Sequence, residues 1–106
     1  MNYLNDETFA RNWARSRAET RGYGPKRIEQ ELRTKGIDPA RIRQVIRETF
    51  DQSDESARAK SLLEKRFKNG QLDDPKLLRR AVGFLQRRGY SSQVIFDLLK
   101  YPLEED

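Results

Sequence analysis

Two stretches of this chain share an outline: Arg21-Gly22-Tyr23-Gly24-Pro25-Lys26-Arg27-Ile28 and Arg88-Gly89-Tyr90-Ser91-Ser92-Gln93-Val94-Ile95. Each follows a basic stretch of helical pattern and opens another helix, with an apolar turn further on at Glu31-Leu32 and Leu98-Leu99. A helix–Gly-Tyr–helix joint used twice constrains the fold to copies of a small helical unit, because one such unit cannot bury its apolar face alone. It also puts positive charge at the same joint twice.

Helix punctuation recurs along the sequence. Asn5 is placed as an N-cap, with Leu4 and Phe9 at the spacing of a hydrophobic staple. Phe9, Ala10, Trp13, Ala14 and Ala18 form one apolar stripe, and Glu7 is spaced to pair with Arg11. Gly22 suits the left-handed residue that ends a helix. Gly24-Pro25 opens a second helix with Ile28 and Leu32 inward; Gly36 ends it, and Ile37 can fold back on Leu32. Asp38-Pro39 starts a third, carrying Ile42, Val45, Ile46 and Phe50.

The polar stretch Asp51-Gln52-Ser53-Asp54 reads as a turn and as the boundary between modules. A fourth helix is expected from about residue 54 to 68, with Ala59, Leu62, Leu63 and Phe67 inward, stopped by Asn69-Gly70. Asp74-Pro75 starts a fifth with Leu77, Leu78, Ala81, Phe84 and Leu85 buried. Gly83 lies inside it, at a cost of about 1 kcal/mol relative to Ala, and close helix packing would be a reason for it. Gly89 ends this helix, with Tyr90 covering Leu85. Ser91 or Ser92 caps a sixth helix bearing Ile95, Phe96, Leu98 and Leu99, and Pro102 precedes a loose acidic tail, Glu104-Glu105-Asp106.

The fold expected is therefore all-α: six short helices in two tandem three-helix, helix-turn-helix-like modules, residues 1–51 and 52–106, in an elongated or curved body. The Gly-Tyr joint lies between helices one and two of the first module but two and three of the second, so the modules are not copies in strict register. The composition agrees, since 35% apolar and 37% charged residues can bury several helix stripes but not a thick core.

The same composition narrows the chemistry. With neither Cys nor His, the chain lacks a thiolate site, the commonest metal ligand and the commonest general base. Acidic pairs such as Asp73-Asp74 are better explained by capping and solvation than by acid–base work. No Gly-rich phosphate loop or Gly-x-Ser-x-Gly elbow is present. The expectation is a protein with no catalytic, cofactor or metal site. No apolar run approaches a membrane span and no signal peptide is visible, so the cytosol, away from membranes, is the expected location; a monomer is expected as well.

The net charge of +5 favours an acidic partner. Arg11, Arg15, Arg17, Arg21, Lys26 and Arg27 crowd the first joint in sequence; Arg79, Arg80, Arg87 and Arg88 crowd the second. Complementing a helix dipole accounts equally well for Arg21, Arg87 and Arg88. It does not account for Lys26 and Arg27, which stand in a first turn, where cations are disfavoured; free amides there would hold an anion. Arg33, Lys35, Arg41, Arg43 and Arg47 are spread as on a solvated face. Tyr23 and Tyr90 read as helix-end covers before they read as base-stacking residues. On charge alone, a non-specific helical nucleic-acid binder acting through its basic joints is one reading.

Tyr3-Leu4-Asn5-Asp6-Glu7-Thr8-Phe9-Ala10, Ser16-Arg17, Arg21 through Leu32 and Lys35-Gly36-Ile37 together resemble the RecX regulatory proteins of bacteria, and Phe84-Leu85-Gln86-Arg87-Arg88-Gly89-Tyr90 with Val94-Ile95 resembles that family's final repeat. The resemblance implies tandem three-helix repeats, of which the family usually has three and this chain shows the last two. It implies a non-enzymatic regulator that binds the RecA recombinase, lodges in the groove of the RecA–single-stranded-DNA filament and inhibits ATPase and strand exchange. DNA repair, recombination and the SOS response would be its setting, with weak direct DNA binding a further expectation.

Overall fold

The computed structural model describes residues 6–68 and 71–101. Those residues form six helices and no strand: α1 (Asp6–Thr20), α2 (Pro25–Thr34), α3 (Pro39–Thr49), α4 (Gln52–Arg66), α5 (Pro75–Arg88) and α6 (Ser92–Leu99), with a single 3-10 turn, Gln71–Asp73, ahead of α5. The expected Asn5 cap, Leu4 staple, Asn69-Gly70 stop, Pro102 and the acidic tail lie outside the described residues.

Local chemistry sets the helix ends. At the end of α2, Gly36 sits at φ +82°, its N–H donates to Arg33 O, and Ile37 N–H reaches back to Leu32 O at 3.1 Å. This is the paired-bond cap that a left-handed glycine makes possible. Asp38 then caps α3, its carboxylate accepting from the N–H groups of Ala40 and Arg41, with Pro39 as the first helical residue. Asp74 and Ser91 cap α5 and α6 in the same manner.

The fourth helix differs from expectation. It begins at Gln52 and ends at Arg66, because Asp51 caps it by accepting from Asp54 N–H at 2.7 Å. Asp54 and Glu55 fall in its first turn, where carboxylates meet the positive end of the helix dipole. The polar stretch is thus a helix start, and the connection from α3 shrinks to Phe50 and Asp51.

Each set of three helices closes on its own apolar cluster. In the first module Ala10, Ala14 and Ala18 of α1 meet Ile28, Leu32, Ile37, Ile42, Val45 and Phe50, with Phe9, Trp13, Tyr23 and Ile46 at the rim. The alanine stripe lets α1 lie close against α3. In the second, Ala59 and Leu63 of α4 pack with Ala81, Val82, Phe84, Leu85, Tyr90, Val94 and Ile95. Full burial of a side chain such as Leu32 or Leu85 contributes roughly 1.5–3 kcal/mol.

Three expectations about the second core change. Leu77 and Leu78 are only half-buried and stand apart from the cluster, while Val82 is buried in it. The sequence of α5 is apolar on more than one face, so packing against α6, rather than periodicity, selects the inner one. Phe96 remains 42% exposed. Gly83 faces no neighbouring helix: a Cβ there would meet only the Arg87 guanidinium, at 3.0 Å.

The body measures 50 × 27 × 22 Å with a Cα radius of gyration of 14.9 Å. A compact domain of about 100 residues has a radius near 13 Å, so the two tandem three-helix modules lie end to end rather than folding into a sphere.

Candidate functional site at the module seam

The two Gly-Tyr joints meet each other. The N–H of Gly24 donates to Arg88 O at 2.6 Å, and the N–H of Lys26 donates to Gly89 O at 2.9 Å. Side chains cross the same seam: Tyr90 donates its hydroxyl to Gly22 O at 3.0 Å, Arg88 Nη1 donates to Arg21 O, and Arg27 Nη1 donates to Arg87 O at 3.1 Å. Glycine is required for this approach. A Cβ on Gly24 would lie 2.7 Å from the Gly89 carbonyl, and one on Gly89 would lie 2.5 Å from Arg27 Cβ and closer still to the Arg27 backbone nitrogen.

Tyr90 anchors the seam from the second core. Its ring is 2% exposed, Tyr90 N–H closes the α5 cap on Leu85 O, and burial raises the phenol to about 12. A buried tyrosine hydroxyl finds a partner, and here the partner belongs to the other module. On the flank, Arg58 donates to Ala18 O of α1 at 3.4 Å, and Glu55 accepts from Ser91 N–H at 2.8 Å, supplying from α4 a bond that secures the start of α6.

The docking corrects one expectation. The first-turn amide of Lys26 is occupied by Gly89 O, and the N-cap amide of Gly24 by Arg88 O. The start of α2 is a protein–protein joint, not a free amide cradle for an anion.

Around the seam the surface is basic and concave. One cleft of about 590 Å³ runs along α2, with Trp13, Lys26, Arg27, Glu31, Lys35 and Arg87 among its walls. Trp13 lies between two cations, Arg17 at 4.0 Å and Lys35 at 4.3 Å from the ring centroid, and donates its indole N–H to Glu31 at 3.0 Å. A second cleft, about 580 Å³, is walled by Arg21, Arg27, Arg66, Arg87 and Arg88 with Tyr23 and Phe84, and contains no carboxylate. The Arg27 guanidinium stacks over Tyr23 at 4.0 Å, and Arg66 and Arg88 lie over Phe84 at 5.6 and 4.9 Å. A third hollow along α5 is lined by Lys76, Arg79, Arg80, Gly83 and Arg87. Arg87 borders all three.

The sequence candidates therefore divide. Arg21, Lys26, Arg27, Arg87 and Arg88 converge on the seam, and Arg79 and Arg80 extend it along α5. Arg17 stacks on Trp13 and lies 3.6 Å from Glu31. Arg11 and Arg15 do not join the seam clefts. Arg11 pairs with Glu48 of α3 at 2.9 Å, far tighter than its 3.9 Å contact with Glu7, and Arg15 bonds Asn12. The Arg11 hydrogen bond holds the Glu48 carboxyl below the usual carboxylate range.

Arg66, Lys35 and Lys76 were not among the sequence candidates. Lys76 stands in the first turn of α5, the same disfavoured place as Lys26, and that signal was open to reading. Arg66 reaches the seam through its long-range contact with Phe84, set by the tertiary placement of α4, which no local pattern encodes.

Among the described residues no cluster of carboxylates could hold a metal ion, and no helix is long and apolar enough to cross a membrane. The arrangement offers clustered guanidinium groups, some stacked on Tyr23 and Phe84, and, among the described residues, no acid–base pair. Such a surface recognises phosphates or carboxylates.

Comparison with known proteins gives this surface a context. Residues 5–46 match the family model for "RecX, second three-helix domain" and residues 53–99 that for "RecX, third three-helix domain". A "Regulatory protein RecX" of Corynebacterium efficiens is 42% identical over 98% of this chain and 52% of its own length. Those of Trichlorobacter lovleyi and Mycolicibacterium smegmatis are 39% and 34% identical, over 92% and 97% of this chain and 65% and 57% of theirs. The chain thus spans between about half and two-thirds of the curated relatives it matches. No solved structure matches it. With both three-helix domains found in order along the sequence, and each covering most of one apolar cluster of the fold, the chain belongs to the RecX family.

Proposed function

We propose that this chain is a non-enzymatic regulator of the RecA recombinase, acting through residues 1–51 and 52–106 as two repeats. It binds RecA or the groove of the RecA–single-stranded-DNA filament and slows ATP turnover and strand exchange, within DNA repair, recombination and the SOS response. The observation that carries this reading is the seam. Two joints with the same sequence outline hold each other through backbone hydrogen bonds, so the clefts of both modules form one rigid cationic surface on a body 50 Å long. A surface fixed before binding avoids the ordering cost that weakens flexible binders. Its charge matches a nucleoprotein filament, whose nucleic acid is a dense line of phosphates.

The test is steady-state ATP turnover by RecA on single-stranded DNA, titrated with this chain beside the Corynebacterium efficiens relative. Turnover is expected to fall as the chain saturates. If the relative inhibits and this chain at saturation leaves turnover unchanged, the reading is wrong for this chain.

A further inference from the structure

The outer face of α5 carries a feature that the seam does not require. Lys76, Arg80, Gly83 and Arg87 recur at helical spacing along one stripe, with Arg79 beside it, and together they line a hollow of about 480 Å³. The helix contains five cations and no carboxylate in 14 residues. Among the described residues none of Lys76, Arg79, Arg80 or Arg87 has a carboxylate within salt-bridge distance. Like charges three and four residues apart repel, and Lys76 opposes the helix dipole as well. Of these residues only Arg87, in the last turn, complements the helix dipole; the fold gains nothing from Lys76, Arg79 and Arg80.

Gly83 sits in the middle of it. Its helical backbone needs no glycine, its place in the helix interior is unfavourable, and no other helix approaches it. A Cβ would meet only the movable end of Arg87. Glycine between cations does one thing that alanine does not: it lets the backbone of a ligand approach the helix closely.

We propose that this face of α5 is a track for single-stranded nucleic acid, whose sugar–phosphate backbone lies across Gly83 with phosphates held by Lys76, Arg79, Arg80 and Arg87. From Lys76 to Arg87 the helix rises roughly 17 Å, room for several phosphates rather than one compact anion. Arg87 continues the track into the carboxylate-free cleft at the seam, where Arg21, Arg27, Arg66 and Arg88 supply further cations for phosphates. This deepens the reading above by assigning one face to the nucleic acid of the filament, and the two fail separately because oligonucleotide binding is measured without recombinase.

The test measures fluorescence anisotropy of a labelled oligothymidylate of about 15 nucleotides, a length that spans one such site, with the chain alone over a series of salt concentrations. The Gly83→Gln variant is expected to bind about tenfold more weakly while the melting temperature holds or rises, since a helix interior prefers glutamine to glycine. Arg79→Ala and Arg80→Ala should each flatten the slope of log K against log salt by about 0.7, the value for one single-strand phosphate contact. Arg43→Ala on the exposed face of α3 makes the same charge change and should leave the slope unaltered. The inference is overturned if the parent chain does not bind at low salt, if Gly83→Gln binds as the parent does, or if the arginine variants match Arg43→Ala. It is also overturned if the α5 variants weaken binding to RecA without DNA yet leave oligonucleotide binding intact, because the face would then belong to a protein.

Discussion

Gly89→Ala separates the seam from ordinary glycine chemistry. Gly89 lies at φ +95°, where an L-residue is strained by about 1–2 kcal/mol. Gly36 lies at φ +82° with nothing within 4 Å of its Cβ position, so Gly36→Ala carries the strain alone. At Gly89 the new methyl also lands on the backbone of Arg27, which cannot rotate aside. Relief requires the modules to part by about 1 Å, the gap between the 2.5 Å approach and an ordinary contact. That movement breaks the Gly24–Arg88 and Lys26–Gly89 hydrogen bonds, each contributing about 0.5–1.5 kcal/mol. The expected loss is roughly 1–2 kcal/mol for Gly36→Ala and about 2–5 kcal/mol for Gly89→Ala. Urea titration gives both values, and small-angle scattering reports whether the radius of gyration grows as the modules swing. Equal losses in the two variants, with unchanged dimensions, would refute the docking.

Tyr90→Phe should cost about 0.5–1.5 kcal/mol through the lost bond to Gly22 O. Because the folded phenol is raised from 10 to about 12, its contribution is complete below pH 10 and is lost as pH climbs through 12; the parent should destabilise over that window by more than Tyr90→Phe does, measured as unfolding free energy against pH. Asp38→Ala removes the acceptor for two α3 amides and should lower stability by about 1 kcal/mol in the same titration. Arg11→Ala should let the Glu48 carboxyl return towards its ordinary range, followed by NMR titration, with seam contacts unaltered.

Much of the fold was legible because its signals are local. Asp38-Pro39, Asp74-Pro75, the Gly36-Ile37 cap and the Gly89-Tyr90 cap each act within a few residues, and each lies where its pattern put it. The polar stretch after Phe50 misled, since the same residue types serve a turn and a capped helix start. Val82 and Phe96 show the limit of periodicity: α5 and α6 are apolar on several sides, and the tertiary partner selects the face. The repeated joint was visible, but its role was not. Its hydrogen bonds join residues 60 to 68 positions apart, and a repeat does not say that its copies face each other. The hint was chemical: a tyrosine buried behind a left-handed glycine needs a partner for its hydroxyl.

Backbone hydrogen exchange at Gly24 and Lys26 tests the central claim most directly. Amides at a helix start lack intrahelical acceptors and normally exchange quickly with water. Here both are donors to carbonyls of the other module, so they should exchange nearly as slowly as Leu32 in the first core. Exchange at the rate of an unprotected chain would contradict the interlocked joints and the single cationic surface built on them.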